Sequence, residues 1–153
     1  MDIGKEAFCN YIEQYQRRMF RVARGILYHD EDAEDAVGES ILKAYEKRNQ
    51  LKNPDNFRPW IMKIVVHESY RIARKRGRTD YLEDAPGTDI PTEDSHYELW
   101  DLVNTLDEEF RVVTILFYYE DLSIKEIGMI LDIPVGTVKS RLTRARAKLK
   151  RLI

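Results

Sequence analysis

Apolar residues recur along this chain with the period of a helix, and no stretch alternates as a strand would. Phe8, Tyr11, Ile12, Tyr15, Met19, Val22, Ala23 and Ile26 fall at steps of one, three or four, which predicts a helix over 5–28. Arg17, Arg18, Arg21 and Arg24 lie largely off that stripe. After His29-Asp30, Ala33, Ala36, Val37, Ile41, Ala44 and Tyr45 carry the pattern through a second helix over 32–48. It begins acidic and ends basic, the polarity that a helix dipole favours. Residues 49–56 hold Pro54 and read as a loop. Phe57, Trp60, Ile61, Ile64 and Val65 open a third helix over 57–76, which ends in the basic run RIARKRGR.

The pattern then fails. Residues 79–95 hold two prolines, a glycine and six acids, and too little apolar surface to fold alone. They predict a mobile acidic linker. Tyr97, Leu99, Leu102, Val103 and Leu106 mark the next helix, from His96. Thr105 and Glu108 have the spacing of a capping box, which predicts a helix over 107–119. Ser123 and Glu126 repeat that spacing before Ile124, Ile127, Ile130 and Leu131. Asp132-Ile133 is a short break, and Pro134 suits the first position of a last helix. There Val138, Leu142, Ala145, Leu149 and Leu152 form the apolar stripe. The fold class is all-α: two small helical domains, 1–78 and 96–153, joined by the linker 79–95.

Charge gives the last helix its meaning. The twenty residues 134–153 hold seven bases and no acid. A short helix, a tight turn and a basic helix make a helix-turn-helix, whose second helix enters the major groove of DNA. A solvated basic face is the plainer alternative. The net charge of −2 argues against DNA only until it is divided: residues 1–78 carry +4, 79–107 carry −9 and 108–153 carry +3. Two mildly basic blocks flank an acidic segment, and charge distribution is the better guide to a nucleic-acid partner. Aromatics beside the basic end of the third helix suit single-stranded bases and their backbone. Packing is the competing reading for Phe57 and Trp60, and the favoured one for Trp60.

Other functions find little support. There is no Ser/His/Asp arrangement, no Gly-rich phosphate loop and no metal-ligand spacing among the scattered His29, His67 and His96. We therefore expect no catalytic residue, no cofactor and no metal site. No apolar run is long enough to span a membrane, and the N-terminus lacks the pattern of a signal peptide. With Cys9 its single cysteine, the chain is expected to be cytoplasmic.

With these residues placed, the chain resembles, over nearly its whole length, a sigma factor of the extracytoplasmic-function type. These are the smallest relatives of sigma-70, with only domains two and four. DAEDAVGESILKAY at 32–45 is similar to the polymerase-binding helix, NFRPWIMKIVVHESYRIARKRGR at 56–78 to the −10-reading and melting region, and LSIKEIGMILDIPVGTVKSRLTRARAKLK at 122–150 to the −35-reading region. The resemblance implies that Asp35, Glu39, Ile41 and Tyr45 meet the clamp coiled coil of the polymerase β′ subunit. It implies that Asn56, Phe57, Trp60 and His67, with Arg71, Arg74 and Lys75, serve −10 DNA. Lys139, Ser140, Thr143 and Arg144 match positions that meet −35 bases or phosphates, with Thr137 and Arg141 as backbone contacts; Lys148, a turn beyond Arg144, is expected to meet phosphate or solvent.

Core RNA polymerase (β′ clamp and β flap), promoter DNA and an anti-sigma factor are the implied partners, and the linker is expected to thread the polymerase RNA path. Gly38 stands where Gln is common, His67 where Asn is, Arg71 where Asp is, and Gly128 where Ala is. A stand-alone helix-turn-helix regulator is the alternative, but it leaves 32–78 without a purpose.

Overall fold

The structure, a computed structural model, describes residues 3–77 and 99–152. They fall into two compact units, one on each side of 78–98. The linker expected at 79–95, and His96 and Tyr97, lie outside the described residues.

The first unit is three helices in mutual contact: α1 (Lys5–Ile26), α2 (Asp30–Glu46) and α3 (Phe57–Arg76). Its core gathers Met19, Ala23, Ile26, Ala36, Ile61, Met62 and Val65, all essentially inaccessible. The alanines of α2 let its backbone approach its neighbours closely. Two buried hydroxyls are satisfied one turn back, Ser40 donating to the carbonyl of Ala36 and Ser69 to that of Val65.

Helix α1 stops two residues before the expected end because Leu27 is extended and buried. Arg24 fixes that corner, donating to the Leu27 carbonyl and, at 2.8 Å, to the Asp30 carboxylate. Helix α2 is shifted by two residues from the expected 32–48. Extended His29 precedes it, its carbonyl accepting from the Ala33 amide, and after Glu46 the chain tightens into a 3₁₀ turn, Arg48–Gln50. Asn53 caps a second 3₁₀ turn, Pro54–Asn56, by accepting from the Asp55 amide at 3.0 Å. Gly77, at φ +88°, closes α3 in a conformation open to glycine.

The second unit holds α4 (Leu99–Asn104), α5 (Glu108–Thr114), α6 (Ile124–Leu131) and α7 (Val135–Leu152). A single π-helical stretch, Ile115–Tyr119, extends α5. The core is formed by Val103, Val113, Ile115, Leu116, Ile127, Val138, Leu142 and Ala145. The stripe of α7 thus packs inward at its first three members, whereas Leu149 and Leu152 are half-buried.

One capping box forms and the other does not. At Ser123 both bonds are present: its hydroxyl accepts from the Glu126 amide, and the Glu126 carboxylate accepts from the Ser123 amide. At Thr105 neither is. Its hydroxyl donates back to the Leu102 carbonyl, and the backbone carbonyl of Asp107 starts α5 instead. Helix α6 ends where Asp132 turns left-handed at φ +56°. Pro134 stands just before α7, one place earlier than expected, its carbonyl accepting from the Val138 amide. Among the described residues there is no strand.

Candidate nucleic-acid interface

Three surfaces carry the residues singled out by the sequence, one on the second unit and two on the first. On α7, the first three turns hold the exposed Lys139, Ser140, Thr143 and Arg144, with Thr137 half-buried beside them. Steps of three and four keep these positions on adjoining faces of the helix. Lys139 and Arg144 make no ion pair among the described residues, so both charges are available to an anionic partner. The Thr143 hydroxyl donates to the Lys139 carbonyl at 3.0 Å and keeps its lone pairs outward as acceptors.

Three other bases of α7 are engaged within the unit. Arg141 lies 3.9 Å from the Glu109 carboxylate. Lys148 is 3.4 Å from Asp107, with its ammonium 4.3 Å from the centre of the Phe110 ring. That placement draws Lys148 toward its own unit while its side chain stays 40% exposed. Arg146 is hydrogen-bonded to the Tyr118 hydroxyl and lies near the stacked rings of Phe117 and Tyr118. The cationic face is therefore divided: Lys139 and Arg144, like Lys150 and Arg151 at the end of the helix, are exposed without an ion pair among the described residues, whereas Arg141, Arg146 and Lys148 are engaged.

On the first unit, α3 and the loop before it carry the second surface. Asn56, His67, Arg74 and Lys75 are exposed and Trp60 is half-buried. Phe57 is not at the surface. Only 1% of it is exposed, because its ring stacks on Tyr11 at 4.6 Å and packs against Tyr15 and Trp60. It supports this surface from beneath and presents no face to a base. The Tyr15 ring also has the guanidiniums of Arg18 and Arg58 within 6 Å of its centre, a cationic aromatic group that the sequence reading did not single out.

Glu68, next to the exposed His67, is buried. It accepts from Lys43 of α2 and, at 2.9 Å, from Arg71 of α3. Burial alone would raise its pKa. The hydrogen bonds from Lys43 and Arg71, and their charges, outweigh that and hold the carboxyl below its ordinary value. Arg71 is thus partly committed to Glu68. A second pair joins the same helices, with the Arg76 guanidinium meeting both oxygens of the buried Asp32 at 3.0 Å.

The third surface is the outer side of α2. Asp35 and Glu39 are exposed; Ile41 and Tyr45 are half-buried, and Tyr45 lies under Arg48 at 4.0 Å and against Phe8. Asp35, Gly38, Glu39 and Leu42 line one side of a groove of about 890 Å³, with Arg71 and Lys75 across it. Leu42 is 61% exposed there. It falls outside the apolar stripe of α2, and the sequence reading gave it no role. Acids on one wall and bases on the other suit a partner helix with charges of both signs. Among the described residues no group of His, Cys, Asp or Glu is placed to hold a metal, and no helix is long and apolar enough to cross a membrane.

Comparison with known proteins falls on these same segments. Residues 11–79 match the family Sigma-70 region 2, and residues 96–149 match Sigma-70, region 4. The chain is 32% identical over 138 residues to RNA polymerase sigma factor SigV of Bacillus subtilis, an alignment covering 88% of this chain and 83% of that protein. It is 30% identical over 168 residues to the ECF RNA polymerase sigma factor SigW of the same organism, covering 96% and 89%. Among solved structures it is similar to the sigma factor RpoE of Bartonella quintana in complex with the anti-sigma factor NepR (TM-score 0.71, 26% identity, 94% of this chain and 96% of that one). It is also similar to CnrH in complex with the cytosolic domain of CnrY (TM-score 0.69, 25% identity, 97% and 88%).

Proposed function

This chain belongs to the sigma-70 family, as a sigma factor of the extracytoplasmic-function type, and from that premise we propose which of its surfaces does what. A sigma factor is an initiation factor of RNA polymerase: it binds the core enzyme and directs it to promoters. We assign −35 recognition to the open first turns of α7, through Lys139, Ser140, Thr143 and Arg144, with Thr137 and Arg141 on the DNA backbone. The single observation that carries this is the division of α7, where Lys139 and Arg144 are exposed without an ion pair among the described residues while Arg146 and Lys148 are engaged within the unit.

Asn56, Trp60, His67, Arg74 and Lys75 are assigned to −10 DNA, with Arg71 tuned by Glu68. The groove beside Asp35, Glu39 and Leu42 is assigned to the β′ clamp of core polymerase. The domains of this reading are 1–78 and 96–153. An anti-sigma factor is proposed as the regulator, by analogy with the sigma factor RpoE solved in complex with the anti-sigma factor NepR. No step of this role requires chemistry by the chain itself, and its place of work is that of the polymerase, the cytoplasm.

The test separates binding from folding. Asp35 and Glu39 are exposed on a helix that has other charges for solubility. Asp35→Ala with Glu39→Ala should leave the melting temperature within about a degree, since exposed charges contribute little to stability. The double variant should bind core polymerase at least tenfold more weakly and lose run-off transcription in proportion, as desolvated interface charges commonly cost a few kcal/mol. Core affinity equal to wild type would remove α2 from the polymerase interface. A stand-alone regulator would show no stable core binding with either chain.

A further inference from the structure

Four large apolar side chains of the second unit are conspicuously exposed among the described residues: Leu99, Tyr118, Met129 and Val135. Scattered apolar residues on a surface are ordinary. Val135 differs by its position. It is the first residue of α7, 42% exposed, and it precedes by one and two turns Lys139 and Thr143 on the same face. Val135 to Thr143 spans about 12 Å along the axis at 1.5 Å per residue.

The side chain is held firmly. Helix α6 is pinned at its start by the Ser123–Glu126 box and at its end by left-handed Asp132, with the Ile133 amide donating to the Gly128 carbonyl at 3.0 Å. That turn lays Val135 against Gly128, one of its methyls 3.8 Å from the point where a β-carbon on Gly128 would stand. A β-branched side chain has little χ1 freedom in a helix. One methyl is thus seated at the α6 contact while the residue remains largely open to solvent. Gly136, next along, has open space around it and does not cover the valine.

We propose that Val135 is a specificity-determining residue of the −35 contact, and that the group it takes is the 5-methyl of a thymine. The proposal rests on the assignment of α7 to −35 DNA. In a helix-turn-helix the first turn of the second helix approaches the base edges. In the major groove the thymine methyl is the one apolar feature that a side chain can read, and apolar contact is how it is read. A rigid apolar group ahead of Lys139, on a helix with no acid, is suited to that contact. A contact to sugar or phosphate would also bury the valine but would not distinguish bases.

The experiment uses holoenzyme reconstituted from core polymerase and the full chain. Its probe is a duplex library randomised over both promoter elements and synthesised with either thymine or uracil in the −35 segment. Uracil keeps every hydrogen-bonding group of thymine and lacks only the methyl. The wild-type holoenzyme should enrich thymine at one −35 position by about fourfold, the weight of one buried methyl group. That enrichment should vanish in the uracil library, and in both libraries with Val135→Ser or Val135→Asn, neither of which keeps a methyl group. Melting curves of the two variants monitor folding, and the smaller Val135→Ser spares the α6 contact should Val135→Asn disturb the turn. Equal enrichment in both libraries assigns the preference to a hydrogen bond and overturns the proposal. So does enrichment that survives in either folded variant, or wild-type selection without a thymine preference at any −35 position. Lys139→Ala and Arg144→Ala run alongside: if they alter the −35 profile while Val135 does nothing, the helix assignment stands and only the valine reading falls. If none of the three alters it, both fall.

Discussion

Arg144 and Lys148 are four residues apart on one basic helix and keep different company. Arg144 is exposed without an ion pair, whereas Lys148 is drawn to Asp107 and the Phe110 ring. A guanidinium can bridge two acceptors on guanine, with about 1–3 kcal/mol of discrimination. A lysine already turned inward supplies at most a diffuse charge. Arg144→Ala is therefore expected to flatten the response of transcription to −35 substitutions. Lys148→Ala should weaken binding slightly and alike on all sequences, lowering the salt slope by less than about one unit. Transcription on a panel of −35 variants at several salt concentrations separates them. Full −35 preference in Arg144→Ala would move base reading to Lys139, Ser140 or Thr143.

Two glycines make the same point about surroundings. Gly38 lies mid-helix in α2 with open space where a side chain would be, while a β-carbon on Gly128 would sit 3.0 Å from the Ile133 carbonyl oxygen. Alanine in a helix interior is favoured over glycine by about 1 kcal/mol. Gly38→Ala should gain most of that, roughly 4 °C in the melting of a small domain. Gly128→Ala should gain less or lose stability, because the turn into α7 must give way. Equal gains at both sites would mean that this turn is softer than its hydrogen bond suggests.

At the scale of elements, α2 and α3 are joined by two ion pairs, Lys43 with Glu68 and Asp32 with Arg76, and Arg71 of α3 adds a second bond to Glu68. Because the Glu68 carboxyl is held below its ordinary value of 4.5 in the folded chain, the charged form favours folding. Its contribution is fully present above that ordinary value and fades as pH falls through the lowered folded one. Glu68→Gln should cost about 1–3 kcal/mol near neutral pH, the range for hydrogen bonds to charged groups. The gap to wild type should stay level down to about pH 5 and shrink in more acid solution. Thermal melts from pH 7 to 3 measure it, and a gap that widens in acid contradicts the assignment.

This pairing also marks where the sequence stopped being informative. The acid-to-base polarity of α2 is a local feature and reads as a dipole effect, but Asp32 meets a partner 44 residues away and Glu68 one 25 residues away. No periodicity announces such pairs. The capping boxes divide likewise. Ser123–Glu126 closes as its spacing predicts, whereas the identical spacing at Thr105 loses to a bond back to Leu102. Spacing makes a cap available, and the path of the preceding turn decides whether it forms. The apolar stripes located the helices to within about two residues at each end. Leu42 and Val135, which those stripes leave out, stand outside the core, but the stripes could not say that Phe57 lies inside its aromatic cluster, since a stripe gives a face and not what covers it.

At the scale of the molecule, the assigned DNA surfaces stand on separately cored units, and a promoter must be met by both. Residues 78–98, the 21 between the described parts, span at most about 70–75 Å when fully extended. Tethering makes the second contact intramolecular, at an effective concentration that reaches the millimolar range for short linkers. Two free fragments at about 1 μM forgo roughly a thousandfold of that. We therefore expect 1–78 to retain core binding, since it carries the α2 groove, and 79–153 to add little to transcription when mixed with it. Run-off transcription from the paired fragments at 1 μM should be a few per cent of that from the intact chain, and raising 79–153 should recover it in proportion to concentration. Circular dichroism of each fragment checks that its helices persist. A glycine-serine chain of equal length in place of 79–95 should restore most of the activity if tethering is the whole contribution of that segment. If it restores little while both fragments are folded, the six acids of the segment act on the polymerase directly, as its expected path along the RNA channel implies. Transcription from the mixed fragments equal to that of the intact chain would show that each unit holds the polymerase tightly by itself, and the argument from tethering would fail.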